Sequence, residues 1–492
     1  MNIKRSSGIL LPLFSLPSPY GIGDMGKKAY EFIDFLKSAG QSYWQVLPLG
    51  HIGCGASPYQ SCSSFAGNPL FIDLEELCTL GLLSEDELGS ARRPCDGSNV
   101  DYGDVTETHM RLLRLACERD TGDISDFERS NPWLSDYALF MALQKHFGGA
   151  PLSDWDDDIR RRQPHAVKLY TELLSDDILF YKRVQLYFLR QWDRLRSYAH
   201  ENGVGIIGDL PIYVAADSVD VWREPQWFLL DAKGFPTEVS GVPPDLFSKD
   251  GQLWGNPLYD YDAMKADGYG WWIRRVDGAS RLYDALRIDH FRAFESYWAV
   301  PRGTESAKQG QWRPGPGMDL VGRLTAWFNN VRFIAEDLGV LTPEVHRLLD
   351  ESGLPGMKVL EFAFDPASLS DYLPHRYNDN CICYAGTHDN NTLRGWIDEE
   401  NLETLAFARE YLGIDDEADL ADAVLRAGMR SKAVLFIAQM QDWLGLGASA
   451  RMNTPGTVGG NWAWRMLPGS ATKALAGKMR RMVYIYGRSG KE

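Results

Sequence analysis

The sequence predicts an α/β fold, a (β/α)8 TIM barrel with inserted, largely helical subdomains. Short apolar runs recur along the chain, stretches with helical spacing lie between several of them, and the runs end in charged or polar residues. Strands that alternate with helices are typical of a parallel sheet. Apolar strands that are buried on both faces and carry polar residues at their carboxyl ends are typical of the barrel form.

Six apolar runs are predicted to form strands, because each is short and closes on polar residues. They are SYWQVLPLG (42–50), GVGIIGDLPIYV (203–214), RLYDALRIDHF (281–291), NVRFIAEDLG (330–339), GMKVLEFAF (356–364) and CICYAGTHDN (381–390). Two stretches between them, 319–330 and 342–353, have the spacing of amphipathic helices. The second has Thr342 and Pro343 at its start and Gly353 just past its end, as helix boundaries commonly do.

Two segments interrupt this rhythm. Residues 73–200 are rich in helix-period patterns and are predicted to be a helical insertion. Residues 215–280 carry glycine, proline and aromatic residues without clear periodicity, and are predicted to be a loop-rich insertion. Neither a repeat nor a linker divides the chain, so we expect one catalytic barrel domain over 1–492 that contains both insertions.

Composition narrows the class of partner. Of the 492 residues, 44% are hydrophobic and 24% charged, as in an ordinary globular enzyme. The net charge of −16, from 51 basic and 67 acidic residues, argues against a nucleic-acid partner, because binding phosphates requires basic side chains. The sequence also lacks a run of about 18 apolar residues, which a membrane span would need. A neutral or polar small substrate is therefore expected.

The cysteines and the amino-terminal stretch bear on the compartment. Lys4 and Arg5 precede an apolar run, as in a signal peptide, but Pro12, Pro17 and Pro19 interrupt that run. The seven cysteines lack the spacing of a zinc site or a disulfide framework. These features predict a cytoplasmic protein with reduced thiols.

Four of the predicted strands end in acidic residues: Asp209, Asp289, Glu336 and Asp389. A single such residue is commonly only a helix cap, and a structural role for Asp209 stays open. A barrel, however, gathers the carboxyl ends of its strands around one mouth, so together these residues predict a cluster of carboxylates. Arg287 lies two residues before Asp289 and therefore on the same face of a strand, which fits either a structural salt bridge or an active site.

Such a cluster suits glycoside chemistry. That chemistry needs one carboxylate to attack the anomeric carbon and a second carboxylic acid to protonate the leaving oxygen. Arg287 would hold Asp289 ionised, whereas burial and neighbouring carboxylates would keep Glu336 protonated. The aromatic content of 12% is compatible with rings that stack on sugars, and equally with an aromatic core.

Longer motifs point to a family. GDLPIYV, RIDHFR, AEDLG and GTHDN, in this order, resemble the α-amylase clan of retaining glycosidases. SPYQSCSSFAGNPLFIDLEEL, GVPPDLFSKDGQLWGNPLYDYD and RMNTPGTVGGNWAWR, among others, are similar to the 4-α-glucanotransferase family, and the resemblance runs from about residue 5 to 466. The resemblance implies a (β/α)8 barrel, no metal or cofactor, and transfer of α-1,4-glucan segments between chains.

The same resemblance implies roles for individual residues. Asp289 would be the nucleophile, Glu336 the general acid/base, and Asp389 a third carboxylate that grips sugar hydroxyls. Tyr59 would stack on the sugar at the site of cleavage. The other residues implied to bind substrate are Asp209, Arg287 and His388 around the acids, Asp245, Gln252 and Trp254 on the acceptor side, and Asn453 and Asn461 near the carboxyl end.

Two alternatives remain at this point. A plain α-glucan hydrolase would use the same acids, although the glucanotransferase-like motifs favour transfer. A non-catalytic carbohydrate-binding protein could share the fold, because fold does not fix function, but it would be expected to lack one of the acids. The expected partners are α-1,4-glucan donors and acceptors, that is maltooligosaccharides and glucose, with no nucleic acid and no membrane.

Overall fold

The computed structural model describes residues 3–53, 55–96, 99–244, 249–339, 341–368, 370–415 and 420–490. Its strands, in chain order, are β1 (Ser6–Leu10), β2 (Tyr43–Gln45), β3 (Gly205–Leu210), β4 (Glu238–Val242), β5 (Gln252–Pro257), β6 (Ala285–Ile288), β7 (Ser296–Pro301), β8 (Gln311–Pro314), β9 (Arg332–Ala335), β10 (Gly356–Val359), β11 (Cys381–Tyr384) and β12 (Leu435–Gln439).

Its α-helices, in the same order, are α1 (Lys27–Ser38), α2 (Leu74–Thr79), α3 (Glu85–Ala91), α4 (Tyr102–Arg119), α5 (Ser125–Ser130), α6 (Leu134–His146), α7 (Asp157–Arg160), α8 (Pro164–Leu173), α9 (Ser175–Glu201), α10 (Val219–Arg223), α11 (Tyr261–Ala266), α12 (Gly270–Leu282), α13 (Met318–Trp327), α14 (Pro343–Ser352), α15 (Leu393–Glu399), α16 (Leu402–Leu412), α17 (Leu420–Arg430), α18 (Met440–Trp443) and α19 (Lys473–Ile485). None of the helices in the described ranges combines the length and apolar composition that crossing a membrane requires.

Eight parallel strands form the central sheet, in the order β10-β11-β12-β1-β2-β3-β6-β9. The sheet curls so that its two edges meet, and the backbone N–H of Ala335 donates to the carbonyl of Pro355 across the seam at 2.9 Å. All eight strands contribute buried side chains to one interior cluster, among them Leu10, Ile207 and Tyr384. The predicted barrel is confirmed.

Six of the barrel strands lie in the predicted runs, and β1 and β12 were not predicted. β1 is only five residues long and leads into the proline-interrupted stretch that resembles a signal peptide. β12 runs directly into α18, so its apolar pattern continues without a turn residue. Both helices predicted near 319–330 and 342–353 are present, as α13 and α14. Gly353 ends the latter at φ 66°, in the left-handed conformation that suits glycine.

The two interruptions differ from each other. Between β2 and β3 the described residues form helices α2 to α9, and α9 contacts both α6 and β3, so it joins this segment to the barrel. The described part of 215–280, a region expected to be rich in loops, contains β4, β5 and three α-helices, of which α12 contacts the barrel strands β3 and β6. β4 and β5 pair with β7 and β8 in an antiparallel sheet of order β5-β4-β7-β8. One catalytic domain over 1–492 with insertions at 73–200 and 215–280 stays a prediction.

Candidate active site

Four acidic residues lie at one mouth of the barrel. Asp209 is the penultimate residue of β3, Asp289 directly follows β6, and Glu336 directly follows β9. Asp389 lies in the turn that follows β11. Because parallel barrel strands all end at the same rim, the fold places these four carboxylates around a single opening.

Backbone hydrogen bonds fix the strand ends that carry the acids. The N–H of Asp289 donates to the carbonyl of Leu210 at 3.1 Å, and the N–H of Glu336 donates to the carbonyl of Ile288 at 3.0 Å. His290, after Asp289, has φ 47°, a left-handed conformation that is uncommon for a residue with a side chain. In this conformation its N–H donates to Oε2 of Glu336, so a strained residue links the two acids.

Arg287 lies against three of the four carboxylates. Its side chain is 3% exposed, and its Nη1 donates to Oδ2 of Asp209 at 2.5 Å and to Oδ1 of Asp289 at 3.2 Å. Its Nη2 lies 3.8 Å from Oε2 of Glu336. A buried salt bridge thus forms within the acidic cluster, as one of the two interpretations of Arg287 expected, and the active-site interpretation stays a prediction.

The two acids at the ends of β6 and β9 have different proton affinities. Burial, and next the negative charge of Asp289, raise the pKa of Glu336 against the opposing charge of Arg287. Burial also raises the pKa of Asp289, by a smaller amount, while Arg287 lowers it. Arg287 was expected to hold Asp289 ionised, and its charge does lower the pKa of Asp289, although burial outweighs it in the net shift. Glu336 remains the stronger proton holder of the pair.

The pKa of Asp389 is shifted in the opposite direction from those of Asp289 and Glu336. Burial raises its pKa, but His388 and the amide of Asn453 outweigh burial and hold the pKa well below its usual range. Nδ2 of Asn453 donates to Oδ1 of Asp389 at 2.6 Å, and Nε2 of His388 lies 3.4 Å from Oδ2. Asp389 therefore stays ionised and can accept hydrogen bonds at any moderate pH.

Tyr59 joins the opposite sides of the mouth. Its hydroxyl donates to Oδ2 of Asp209 at 2.7 Å and lies 2.9 Å from Nε2 of His388. Its ring stacks on the His388 ring, with centroids 5.3 Å apart and an interplanar angle of 22°. Burial, and next Asp209, raise the pKa of Tyr59 well above its ordinary value, so the phenol remains protonated and can donate.

Two of the three residues predicted on the acceptor side are linked to His290, the residue that follows Asp289. The Trp254 ring meets the His290 ring edge to face, with centroids 4.9 Å apart. Nε1 of Trp254 donates to Oε1 of Gln252 at 3.2 Å, so both side chains on β5 belong to one contact group. Asp245 lies outside the described residues.

The two asparagines near the carboxyl end have different surroundings. Asn453 contacts Asp389, as described. The carboxamide of Asn461 instead accepts from the N–H of Thr454 and donates to the carbonyl of Thr457, so it closes its own loop. The structure thus brings Asn453, but not the Asn461 carboxamide, directly against the carboxylates.

Sequence reasoning missed two residues of this segment, Arg451 and Trp462. The ring of Trp462 lies 5.7 Å from the rings of both Tyr59 and His388. Arg451 donates to the carbonyl of Asp389 at 2.7 Å. Both lie within the quoted motif RMNTPGTVGGNWAWR, so the motif marked the segment but could not say which side chains point to the acids.

Together these groups provide the Asp289 carboxylate, the Glu336 carboxylic acid with its more strongly raised pKa, and the Asp389 carboxylate, which stays ionised. A nucleophile and a proton donor with different pKa values are what double displacement at an acetal carbon requires. Polar side chains and the aromatic rings of Tyr59, Trp254 and Trp462 surround the carboxylates, a combination suited to a sugar.

Comparisons with known proteins agree with this chemistry. A family model described as 4-alpha-glucanotransferase matches residues 11–471. The 4-alpha-glucanotransferases of Streptococcus pneumoniae and Thermus thermophilus are each 44% identical to this chain, over 99% and 98% of it and over 98% and 99% of their own lengths. The solved structure of amylomaltase from Streptococcus agalactiae in complex with acarbose superposes with a TM-score of 0.96 at 40% identity, covering 99% of this chain and 100% of that one.

Proposed function

The chain belongs to the 4-alpha-glucanotransferase family and is an enzyme of that kind, and from this premise we propose how it works. It transfers a segment of an α-1,4-glucan to the 4-hydroxyl of another glucan, or of glucose, by a retaining double displacement. The observation that carries the proposal is the buried guanidinium of Arg287, which lies against Asp209, Asp289 and Glu336 at one mouth.

The first displacement forms a covalent intermediate. A carboxylate oxygen of Asp289 attacks the anomeric carbon of the donor, and the bond from that carbon to the glycosidic oxygen breaks. Glu336, kept protonated by burial and by the charge of Asp289, gives its proton to the leaving oxygen. The products are a shortened glucan with a free 4-hydroxyl and a glucosyl ester on Asp289.

The second displacement releases the glucan onto an acceptor. The carboxylate of Glu336 takes the proton of the acceptor's 4-hydroxyl as that oxygen attacks the anomeric carbon. The ester bond breaks, the Asp289 carboxylate is regenerated, and Glu336 again carries its proton. Two inversions leave the configuration of the anomeric carbon unchanged.

Asp389 and Tyr59 hold the sugar during both displacements. Asp389, ionised and fixed by Asn453, accepts hydrogen bonds from sugar hydroxyls as the ring distorts. Tyr59 offers its ring face, held by His388 and Trp462, to the apolar side of the same sugar. Asp209 orders Arg287 and Tyr59 rather than reacting.

We further infer that neutral maltooligosaccharides and glucose are the donors and acceptors, and that the enzyme works in the cytoplasm. The net charge of −16 suits neutral rather than anionic substrates. The described cysteines Cys62, Cys78, Cys95, Cys117, Cys381 and Cys383 are free, as expected in a reducing compartment.

Incubating the pure protein with maltotriose tests the proposed activity. Transfer from one maltotriose to another releases glucose and builds maltodextrins longer than the starting sugar. A hydrolase would instead give maltose and glucose without longer products, and this outcome would favour the alternative function. Asp289→Asn serves as the control, and any product that it forms at the wild-type rate does not arise at this site.

Trp254→Ala is expected to raise the ratio of hydrolysis to transfer about tenfold, which corresponds to roughly 1.4 kcal/mol of lost acceptor binding. The indole provides an apolar plate beside His290, and Gln252 provides a hydrogen bond that a sugar hydroxyl uses. An acceptor held in attacking geometry can gain on the order of 7 to 11 kcal/mol of effective-molarity advantage over diffusing water. When the acceptor sugar loses the indole on which it stacks, water competes better with it for the glycosyl intermediate, and hydrolysis increases relative to transfer.

Products of a maltotriose incubation, separated by chain length, give this ratio. Leu253→Ala is the matched control, because Leu253 is the neighbouring residue on β5 and its side chain is exposed. If glycosylation of Asp289 and transfer fell together in Trp254→Ala with the ratio unchanged, Trp254 would act on donor binding instead.

A further inference from the structure

Two chain segments meet at Asp389 without being neighbours in sequence. The first is the turn 387–390 after β11, and the second is the segment that starts at Arg451. The N–H of Asn453 donates to the carbonyl of His388 at 3.1 Å, and Nδ2 of Asn453 donates to the Asp389 carboxylate at 2.6 Å. The position of Asp389 therefore depends on how the second segment is held.

Arg451 holds both segments with one guanidinium. Its Nε donates to the carbonyl of Asn453 at 2.8 Å, and its Nη2 donates to the carbonyl of Asp389 at 2.7 Å. These two nitrogens lie on one edge of the planar group, so their spacing sets the distance between the two carbonyls. The side chain is partly buried, which limits competition from solvent.

We propose that Arg451 is a positioning residue for Asp389. By fixing the carbonyls of Asp389 and Asn453 at neighbouring nitrogens, it aligns the Asn453 carboxamide with the Asp389 carboxylate. It does not touch the sugar and takes part in catalysis only through these two residues. The inference rests on the proposed role of Asp389 in gripping the distorted sugar.

The two parallel hydrogen bonds from one guanidinium require an arginine at position 451. A lysine at 451 would keep the positive charge and the aliphatic stem, but its ammonium is a point donor that cannot reproduce two parallel bonds at fixed spacing. Arg451→Lys should therefore fold normally and yet leave the Asn453 carboxamide free to shift. A misplacement of about 1 Å near a reacting centre can lower a rate by on the order of 100-fold.

The test measures kcat and KM for maltotriose in Arg451→Lys, Asn453→Ala, the double variant and Asp389→Asn. We expect Arg451→Lys to lower kcat by roughly 10- to 100-fold with KM changed by less than about threefold, because the lost contact serves the transition state. The double variant should be no more than about threefold slower than Asn453→Ala, because both changes disturb one contact. If Arg451→Lys only reduced the amount of folded protein, it would lower the activity by the same factor in the wild-type protein and in Asn453→Ala.

Arg394→Met is the matched control, since Arg394 is a more exposed arginine on α15 that pairs with Asp398 at 2.8 Å. It should keep wild-type kinetics. Losses that multiply in the double variant, or a kcat within about twofold of wild type in Arg451→Lys, would overturn the inference. If Asp389→Asn itself transferred glucan at the wild-type rate, the proposed role of Asp389 would fail, and that result is separate from any behaviour of Arg451.

Discussion

Asp289→Asn and Glu336→Gln are each expected to remove almost all glucan transfer, by on the order of 10⁴-fold or more, while leaving the fold intact. Both amides are close in shape to the acids that they replace. A carboxamide in place of the Asp289 carboxylate cannot attack the anomeric carbon, and one in place of the Glu336 carboxyl group cannot protonate the leaving oxygen. Initial rates of maltotriose disproportionation measure the loss. Glu351→Gln, a change at an exposed residue of α14, is the control and should keep the wild-type rate.

A donor with a good leaving group separates the two roles. An α-maltosyl fluoride needs little proton assistance, so Glu336→Gln should still form the glycosyl ester on Asp289, detected as a mass increase of the intact protein. Asp289→Asn should not form it. Identical behaviour of the two variants with this donor would show that nucleophile and acid have been assigned wrongly.

The pH dependence gives an independent check on the same pair. In the proposed mechanism Glu336 acts in its protonated form, so activity should fall as pH rises through its raised pKa and the proton is lost. Asp289 acts in its ionised form in the same mechanism, so activity should fall as pH drops through its own raised pKa. The plot of wild-type kcat/KM against pH should therefore be bell-shaped, and the apparent pKa of its acidic limb should lie above the ordinary range for aspartate. With the fluoride donor, Glu336→Gln should lose the alkaline limb and keep the acidic one.

The strand ends that carry the acids could be predicted from sequence because the relevant signals are local. A short apolar run that closes on Asp289 or Glu336 is visible in a window of about ten residues, and the barrel rule then brings these ends together. β1 and β12 were not predicted, because the turn residues that usually mark the end of a strand are not recognisable there. A proline-rich stretch follows β1, and a helix follows β12 directly. The chain was therefore identified as a barrel with two of its eight strands unassigned.

The second sheet was hidden for a different reason. β4 shifts register between Val239 and Gly241, and Gly255 within β5 has φ 79°, so the alternation of apolar and polar residues is broken in both strands. Periodicity therefore indicated loops where the structure has strands.

Contacts between distant segments were beyond the reach of sequence patterns. Asn453 and Asp389 are 64 positions apart, and neither motif indicates that the carboxamide of Asn453 bonds to the carboxylate of Asp389. The same holds for the burial of Asp289, which raises its pKa although the neighbouring Arg287 lowers it. A pKa depends on burial and on every neighbouring charge, and only the folded arrangement supplies these.

The neighbouring barrel strands β1 and β12 lead to the second large expected effect, the loss of stability in Arg488→Met. Arg488 is 0% exposed although it carries a charge. Its donors bond chain segments near the starts of these two strands: Nε to the carbonyl of Met429, Nη1 to the carbonyls of Ser6 and Ala433, and Nη2 to the carbonyls of Gly428 and Ser431 and to the hydroxyl of Ser431.

The partners of Arg488 explain why a charge is tolerated there. Gly428 and Met429 belong to the last turn of α17, whose carbonyls have no partner within the helix and carry the negative end of its dipole. Ser6 begins β1, and Ala433 lies just before β12. Burial, and next the charge of Arg5, lower the pKa of Arg488, so the charge alone is a cost that these hydrogen bonds offset.

Arg488→Met is therefore expected to lower the free energy of unfolding by about 3 to 5 kcal/mol, because it removes the buried hydrogen bonds that this charged group donates. Arg5 still donates to the carbonyls of Met429, Ser431 and Ala433, so these three carbonyls lose one of their donors rather than all of them. The urea midpoint of the whole chain, followed by tryptophan fluorescence, measures the change. Arg480→Met removes an exposed arginine from α19 and should shift the free energy by less than about 0.5 kcal/mol. The kcat of Arg488→Met per folded molecule should stay at the wild-type value in the cold, because Arg488 contacts the amino-terminal ends of β1 and β12, opposite the acids. A midpoint equal to that of Arg480→Met would show that other contacts, rather than Arg488, hold β1 and β12 together.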